Sequence, residues 1–143
     1  MEKQHTKPAV QYFKEGFNCS QAVLAPFAVA SGLNEVTALK LTSNFGGGMN
    51  EGETCGAVTG ALMAIGLKYG RFEADDIQAK EIATGLASEF KKRFIARYGS
   101  LKCKKLLKYD ITTEKEIILE KDLFNTLCPE FVKSAESILK EIL

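Results

Sequence analysis

Four cysteines carry most of the redox and soft-metal chemistry open to this chain: Cys19, Cys55, Cys103 and Cys128. No two form a C-x-x-C pair, so the local spacing of a zinc ribbon or a thioredoxin-type motif is missing. What they share is their setting. Cys19 follows Asn18, a good helix N-cap, and Cys55 follows a glycine-rich stretch and Thr54. Cys128 precedes Pro129, a residue suited to a helix's first turn, and Cys103 lies just past Gly99-Ser100. The pattern therefore predicts all four at or near helix starts. Unpaired backbone N–H groups and the positive end of the helix dipole gather there, and both stabilise a thiolate. Thiolate is the form that attacks a disulfide or binds a metal.

Three readings of the cysteines follow. In the first, two of them cycle between dithiol and disulfide, with Cys55 as the attacking thiolate and Cys19 resolving. In the second, all four hold zinc or an iron–sulfur cluster, most simply of the 2Fe–2S type. Ligands this dispersed leave the assembly of such a site to the tertiary fold. In the third they do no chemistry and pack as small hydrophobes, a common use of free cysteine.

The segment Phe45-Gly-Gly-Gly-Met-Asn-Glu-Gly-Glu-Thr-Cys-Gly56 concentrates glycine in a way that suits neither helix nor strand. Backbone amides of Gly46, Gly47, Gly48 and Gly52 could cradle an anion ahead of a helix. No Gly-Lys-Ser/Thr follows, so this is not a Walker loop, and a predicted helix precedes it, which excludes a dinucleotide-binding turn. The loop is expected to bring amides near Cys55. There Gly46, Gly47, Gly48 and Gly56 would contact negative charge on the sulfur or on a cofactor. Gly56 and Gly60, four apart among alanines, offer a smooth helix face whose expected use is close packing by another helix.

Other polar residues point elsewhere. His5 is the single histidine and lies near the N-terminus, which weakens a Cys–His nucleophile or a His-ligated zinc. Glu51 and Glu53 flank the loop and are expected to be solvated carboxylates. Lys91, Lys92, Arg93 and Arg97 read as a solvated face, and so do Lys102, Lys104 and Lys105, with a slight lowering of the Cys103 pKa expected. Neither basic run has interleaved aromatics expected to be exposed, since Phe94 belongs to the inward stripe. With a net charge of +1, nucleic acid is not an expected partner.

The elements that must position these residues read as helices. Thr6 to Glu15 is expected to turn Val10, Phe13 and Phe17 to one side. Asn18 caps a second helix, Cys19 to Ser31, in which Pro26 should produce a kink or a restart. Asn34 opens a third to about Asn44. Thr54 is expected to cap a helix from Cys55 to Lys68, apolar on nearly every side and so central in the fold. Asp75 and Asp76 begin a long helix to Tyr98 with a stripe of Ile82, Leu86, Phe90 and Phe94. A short helix follows over Leu101 to Leu107. Thr112, Thr113 and Glu116 resemble a capping box for another. The last helix runs from Cys128 to Leu143, with Phe131, Ala135, Ile138 and Ile142 inward. Alternation of period two is almost absent. The expected fold is all-α: a compact multi-helix bundle, one domain over residues 1–143, with a central apolar helix preceded by the glycine-rich loop.

Bulk properties agree. At 143 residues and 45% hydrophobic, the chain can build a core without disulfide staples. Charged residues make up 26%, near the average for folded soluble proteins. The polar N-terminus has no apolar stretch of a secretory signal, and the longest apolar run, Ala57 to Leu67, is too short to span a membrane. A cytoplasmic location is expected, where cysteines are normally reduced. A homodimer fits a small bundle of this kind. The redox partner is unidentified.

Phe17-Asn-Cys-Ser-Gln-Ala-Val23, Phe45-Gly-Gly-Gly-Met49, Gly52-Glu-Thr-Cys-Gly-Ala-Val-Thr-Gly60, Gly99-Ser-Leu-Lys-Cys103 and Cys128-Pro-Glu-Phe-Val132 together resemble the C_GCAxxG_C_C family. These small proteins are named for a four-cysteine pattern and associated with redox activity. The likeness runs over nearly the whole chain, although the order here is Cys-Gly-Ala-Val-Thr-Gly rather than the literal letters of the family name. The resemblance implies a joint role for Cys19, Cys55, Cys103 and Cys128 in a bacterial or archaeal protein, with no secure substrate. A related domain in a cytochrome with an iron–sulfur centre adds weight to the metal reading. Some relatives carry a twin-arginine export signal that this sequence lacks.

Overall fold

Asn18 opens the helix around which the fold is organised. Its side chain accepts from the Gln21 amide at 2.9 Å, and the Gln21 side chain accepts from the Asn18 amide at 2.9 Å. This capping box satisfies two amides that the helix itself cannot. In the computed structural model, which describes residues 7–143, nine α-helices form and no strand does. They are α1 (Ala9–Lys14), α2 (Cys19–Ala30), α3 (Glu35–Thr42), α4 (Gly56–Tyr69), α5 (Ile77–Tyr98), α6 (Cys103–Leu107), α7 (Lys115–Glu120), α8 (Leu123–Thr126) and α9 (Cys128–Ile142). The protein is all-α. None of the described helices is long and apolar enough to cross a membrane.

Helix α4 lies in the middle, against α2, α5 and α9, and α2 in turn packs on α1, α3 and α9. Its burial of Ala57, Val58, Ala61, Ala64 and Ile65 explains why it is apolar on so many sides. The approach of α4 to α2 is set by glycine. A Cβ on Gly60 would stand 2.6 Å from the Ser20 carbonyl oxygen, and one on Gly56 would stand 3.0 Å from the Cys19 Cβ. The smooth Gly56/Gly60 face is a helix-packing face. Helix α5 contributes Phe90 and Phe94 to the core, and an aromatic cluster ties it to the start of α9. The Tyr98 ring meets Phe131 edge-on at 5.0 Å, and the Tyr98 hydroxyl donates to the Glu130 carbonyl at 3.2 Å.

Several boundaries differ from the sequence expectation. Thr6, where the first helix was expected to begin, lies outside the described residues, as does His5. The buried residues of α1 are Ala9 and Tyr12 rather than Val10 and Phe13, because Tyr12 turns inward to donate to Glu35 at 2.6 Å. Helix α2 continues through Pro26 without restarting. Pro26 is buried there, so tertiary packing outweighs the one missing hydrogen bond. The upper part of the α5 stripe is not core: Ile82 is exposed and only Phe90 and Phe94 are buried. No box forms from Thr112, Thr113 and Glu116. Instead Asp110 accepts from the Thr112 amide and hydroxyl, and Glu114 accepts from the Asp110 amide.

Candidate functional site

Each cysteine stands at a helix start. Cys19, Cys103 and Cys128 are the first residues of α2, α6 and α9, and Cys55 is the N-cap of α4. Cys55 takes the place expected for Thr54, which is drawn off into an isolated antiparallel bridge with Lys102. That bridge is made by the cysteines' own amides. The Cys55 amide donates to the Leu101 carbonyl at 2.7 Å, and the Cys103 amide donates to the Glu53 carbonyl at 2.6 Å. Residues on either side of a bridged pair point to the face opposite it, which sets Cys55 and Cys103 on one face as diagonal neighbours.

The glycine-rich segment forms a left-handed turn. Gly47, Gly48, Met49 and Asn50 have φ of 60°, 63°, 58° and 59° in succession. Only glycine adopts this conformation cheaply, and the turn is closed by the Asn50 amide donating to the Gly46 carbonyl at 3.0 Å. A side chain on Gly48 would also run into the Glu53 backbone. Gly46 sits against the Asn18 side chain, which donates to the Ser43 carbonyl at 3.1 Å. The turn thus packs directly on the cap that precedes Cys19.

These elements meet around one cavity of about 310 Å³, lined by all four cysteines together with Gly46, Gly47, Asn50 and Gly56. Gly48 is turned toward Glu53 instead. The rest of the lining is mainly apolar and includes Phe13 and Phe17, from the apolar side expected of the first helix, and Ile111 and Phe124, which spacing alone did not single out. Lys115 also lines it. All four thiols are buried.

Burial reverses the expected order of acidity. The Cys55 thiol is pushed up to about 12 by desolvation, against the Ala57 and Val58 amides that pull it down, with Cys103 and Cys128 adding to the rise. Cys103 also rises to about 12, through burial and then the neighbouring Cys128 and Asp110. Lys102 and Lys104 give it no relief, since both pair with Glu53, at 3.4 and 3.2 Å. Cys128 alone of the four is lowered. The neighbouring Cys19 thiol favours its ionised form and outweighs the cost of its burial. Cys19 itself is raised, by the neighbouring Cys128 and then by desolvation. Cys55 was the expected thiolate on the strength of its helix start, but a few amide dipoles do not offset the loss of water around a buried sulfur.

Among the described residues, no group of three or more His, Cys, Asp or Glu side chains is placed to hold a metal ion.

A helical fold that gathers four buried thiols beside a left-handed glycine turn defines a class of multi-cysteine helical protein. The chain belongs to the family described as "Putative redox-active protein (C_GCAxxG_C_C)", whose pattern matches residues 17–142. No curated relative and no solved structure matches it.

Proposed function

We propose that this protein is a thiol–disulfide oxidoreductase whose working pair is Cys128 and Cys19. The observation that carries the reading is that Cys19 and Cys128, at the starts of two helices packed together, share the wall of one cavity and act on each other's ionisation. It supports Cys128 as the attacking thiolate and Cys19 as the resolving thiol. Membership in a family described as redox-active supports the reaction class.

The step balances as ordinary exchange. The Cys128 thiolate attacks one sulfur of a substrate disulfide, forming a mixed disulfide and expelling the other sulfur as a thiolate. That thiolate takes the Cys19 proton. Cys19, now a thiolate, attacks the Cys128 sulfur, and the remaining half of the substrate leaves as a second thiolate, to be protonated by water. Two electrons pass from the protein dithiol to the substrate, and a Cys19–Cys128 disulfide remains. Cys55 and Cys103, both held protonated, stay outside this first exchange.

Trapping tests the assignment. Cys19→Ser should arrest the reaction with a small disulfide at a mixed disulfide on Cys128, located by peptide mass mapping, and Cys128→Ser should give none. Accumulation of the adduct on Cys55 instead would overturn the assignment.

A further inference from the structure

Resting on that reading, we infer that the substrate is a low-molecular-weight disulfide with an apolar body and an anionic end, and that Lys115 receives the anionic end. Size comes first. The thiols are between 4% and 8% exposed, so the rigid surface of a folded protein cannot bring a disulfide to them. A cavity of about 310 Å³ holds the volume of roughly ten waters, at about 30 Å³ each, which suits one small molecule or half of a slightly larger one.

Chemistry comes second. Phe13, Phe17, Ile111, Leu106, Phe124 and Phe131 give the cavity an apolar lining. Such walls favour a hydrocarbon or aromatic body over a heavily hydrated one. Among the lining side chains other than the cysteines, Lys115 is the only ionisable one. It is exposed, and it makes no ion pair with any described residue, unlike Lys102 and Lys104, which are committed to Glu53. An ammonium on the wall of an otherwise uncharged cavity favours a carboxylate or sulfonate and offsets the repulsion between that group and the Cys128 thiolate.

Three disulfides of similar reach test this on the full-length protein: dithiodipropionate (anionic), dithiodipyridine (neutral) and cystamine (cationic). The readout is the rate of mixed-disulfide formation at Cys128 in the Cys19→Ser background. Dithiodipropionate should react roughly tenfold faster than cystamine, and Lys115→Glu should invert that order while the neutral reagent keeps its rate. A ratio unchanged by Lys115→Glu, with Cys128 still reacting, would overturn this inference and leave the thiol reading standing. Failure of all three reagents to react at Cys128 would overturn both.

Discussion

Cys19 and Cys128 meet on the wall of one cavity although the two residues are 109 positions apart in the chain. Each begins a helix, and α2 and α9 pack together. Their proximity divides the labour between two like groups: Cys128 is the one lowered, and Cys19 is raised by its neighbour and by desolvation.

Removing Cys19 should therefore raise the pKa of the Cys128 thiol. Cys19→Ala is expected to slow iodoacetamide labelling of Cys128 at mildly acidic pH by roughly tenfold, the effect of about one pKa unit. Cys19→Ser, whose hydroxyl also donates, should restore much of the rate. A purely structural role for Cys19 predicts no such rescue, and quantitative mass mapping of the labelled peptide separates the two.

The glycines of α4 give a contrast within one helix. Gly60→Ala would place a methyl 2.6 Å from the Ser20 carbonyl oxygen, while Gly66 has open space around it. Helix propensity favours alanine at both by up to about 1 kcal/mol. At Gly66 that gain should appear as a raised Tm. At Gly60 overpacking of about 1–3 kcal/mol opposes it, so the expected result is a net loss of stability. The same shift would move α4 off α2 and increase labelling of Cys55. Parallel thermal melts and alkylation time courses check both.

The helices and the four helix-start cysteines were legible because capping residues, glycine breaks and apolar periodicity are local signals. Asn18, Asn34 and Asp76 each cap the helix that follows, as their types suggest. The proposed working pair was not legible, since it depends on how far each sulfur loses its water, a property of packing between distant segments. Cys55 has the more conspicuous sequence setting, yet it lies deeper from solvent than Cys128. Likewise Thr54 is a good capping residue by type, but the ladder with Lys102 claims it. The turn at Met49 and Asn50 shows the same limit: non-glycine residues in the left-handed region are stabilised there by the surrounding hydrogen bonds, not by their own preference.

Alkaline pH should destabilise the fold in a defined window. The Cys55 thiol moves from its ordinary 9.0 to about 12 in the folded chain. Below 9.0 both folded and unfolded chains hold this proton, and its contribution to stability is constant and complete. Above 9.0 the unfolded chain releases it while the folded chain keeps it, so stability falls until the folded thiol also ionises near 12. The slope is at most about 1.4 kcal/mol per pH unit for one such group. Urea melts across this range should show the decline, and Cys55→Ala should make it shallower by one group's share, leaving the part that Cys103 and Cys19 contribute.

The second pair of thiols supplies the last prediction. The amides of Cys55 and Cys103 both donate into the ladder around Thr54 and Lys102, which fixes the two residues on one face. Their thiols are both pushed up to about 12, whereas Cys128 is lowered. Thiolate fraction governs attack on an oxidant, although the higher intrinsic nucleophilicity of a less acidic thiol recovers part of the loss. Oxidation with diamide should therefore run in two phases. A Cys19–Cys128 disulfide should form first, and a Cys55–Cys103 disulfide at least roughly tenfold more slowly. The slow phase should persist when Cys19 and Cys128 are both replaced by Ala, because the ladder holds the second pair independently of the first. Acid-quenched samples mapped by mass spectrometry give both rate and connectivity. A crosslink joining Cys55 to Cys128 as the first product would break this order, since it requires the two sulfurs to meet across the cavity before either meets its own neighbour.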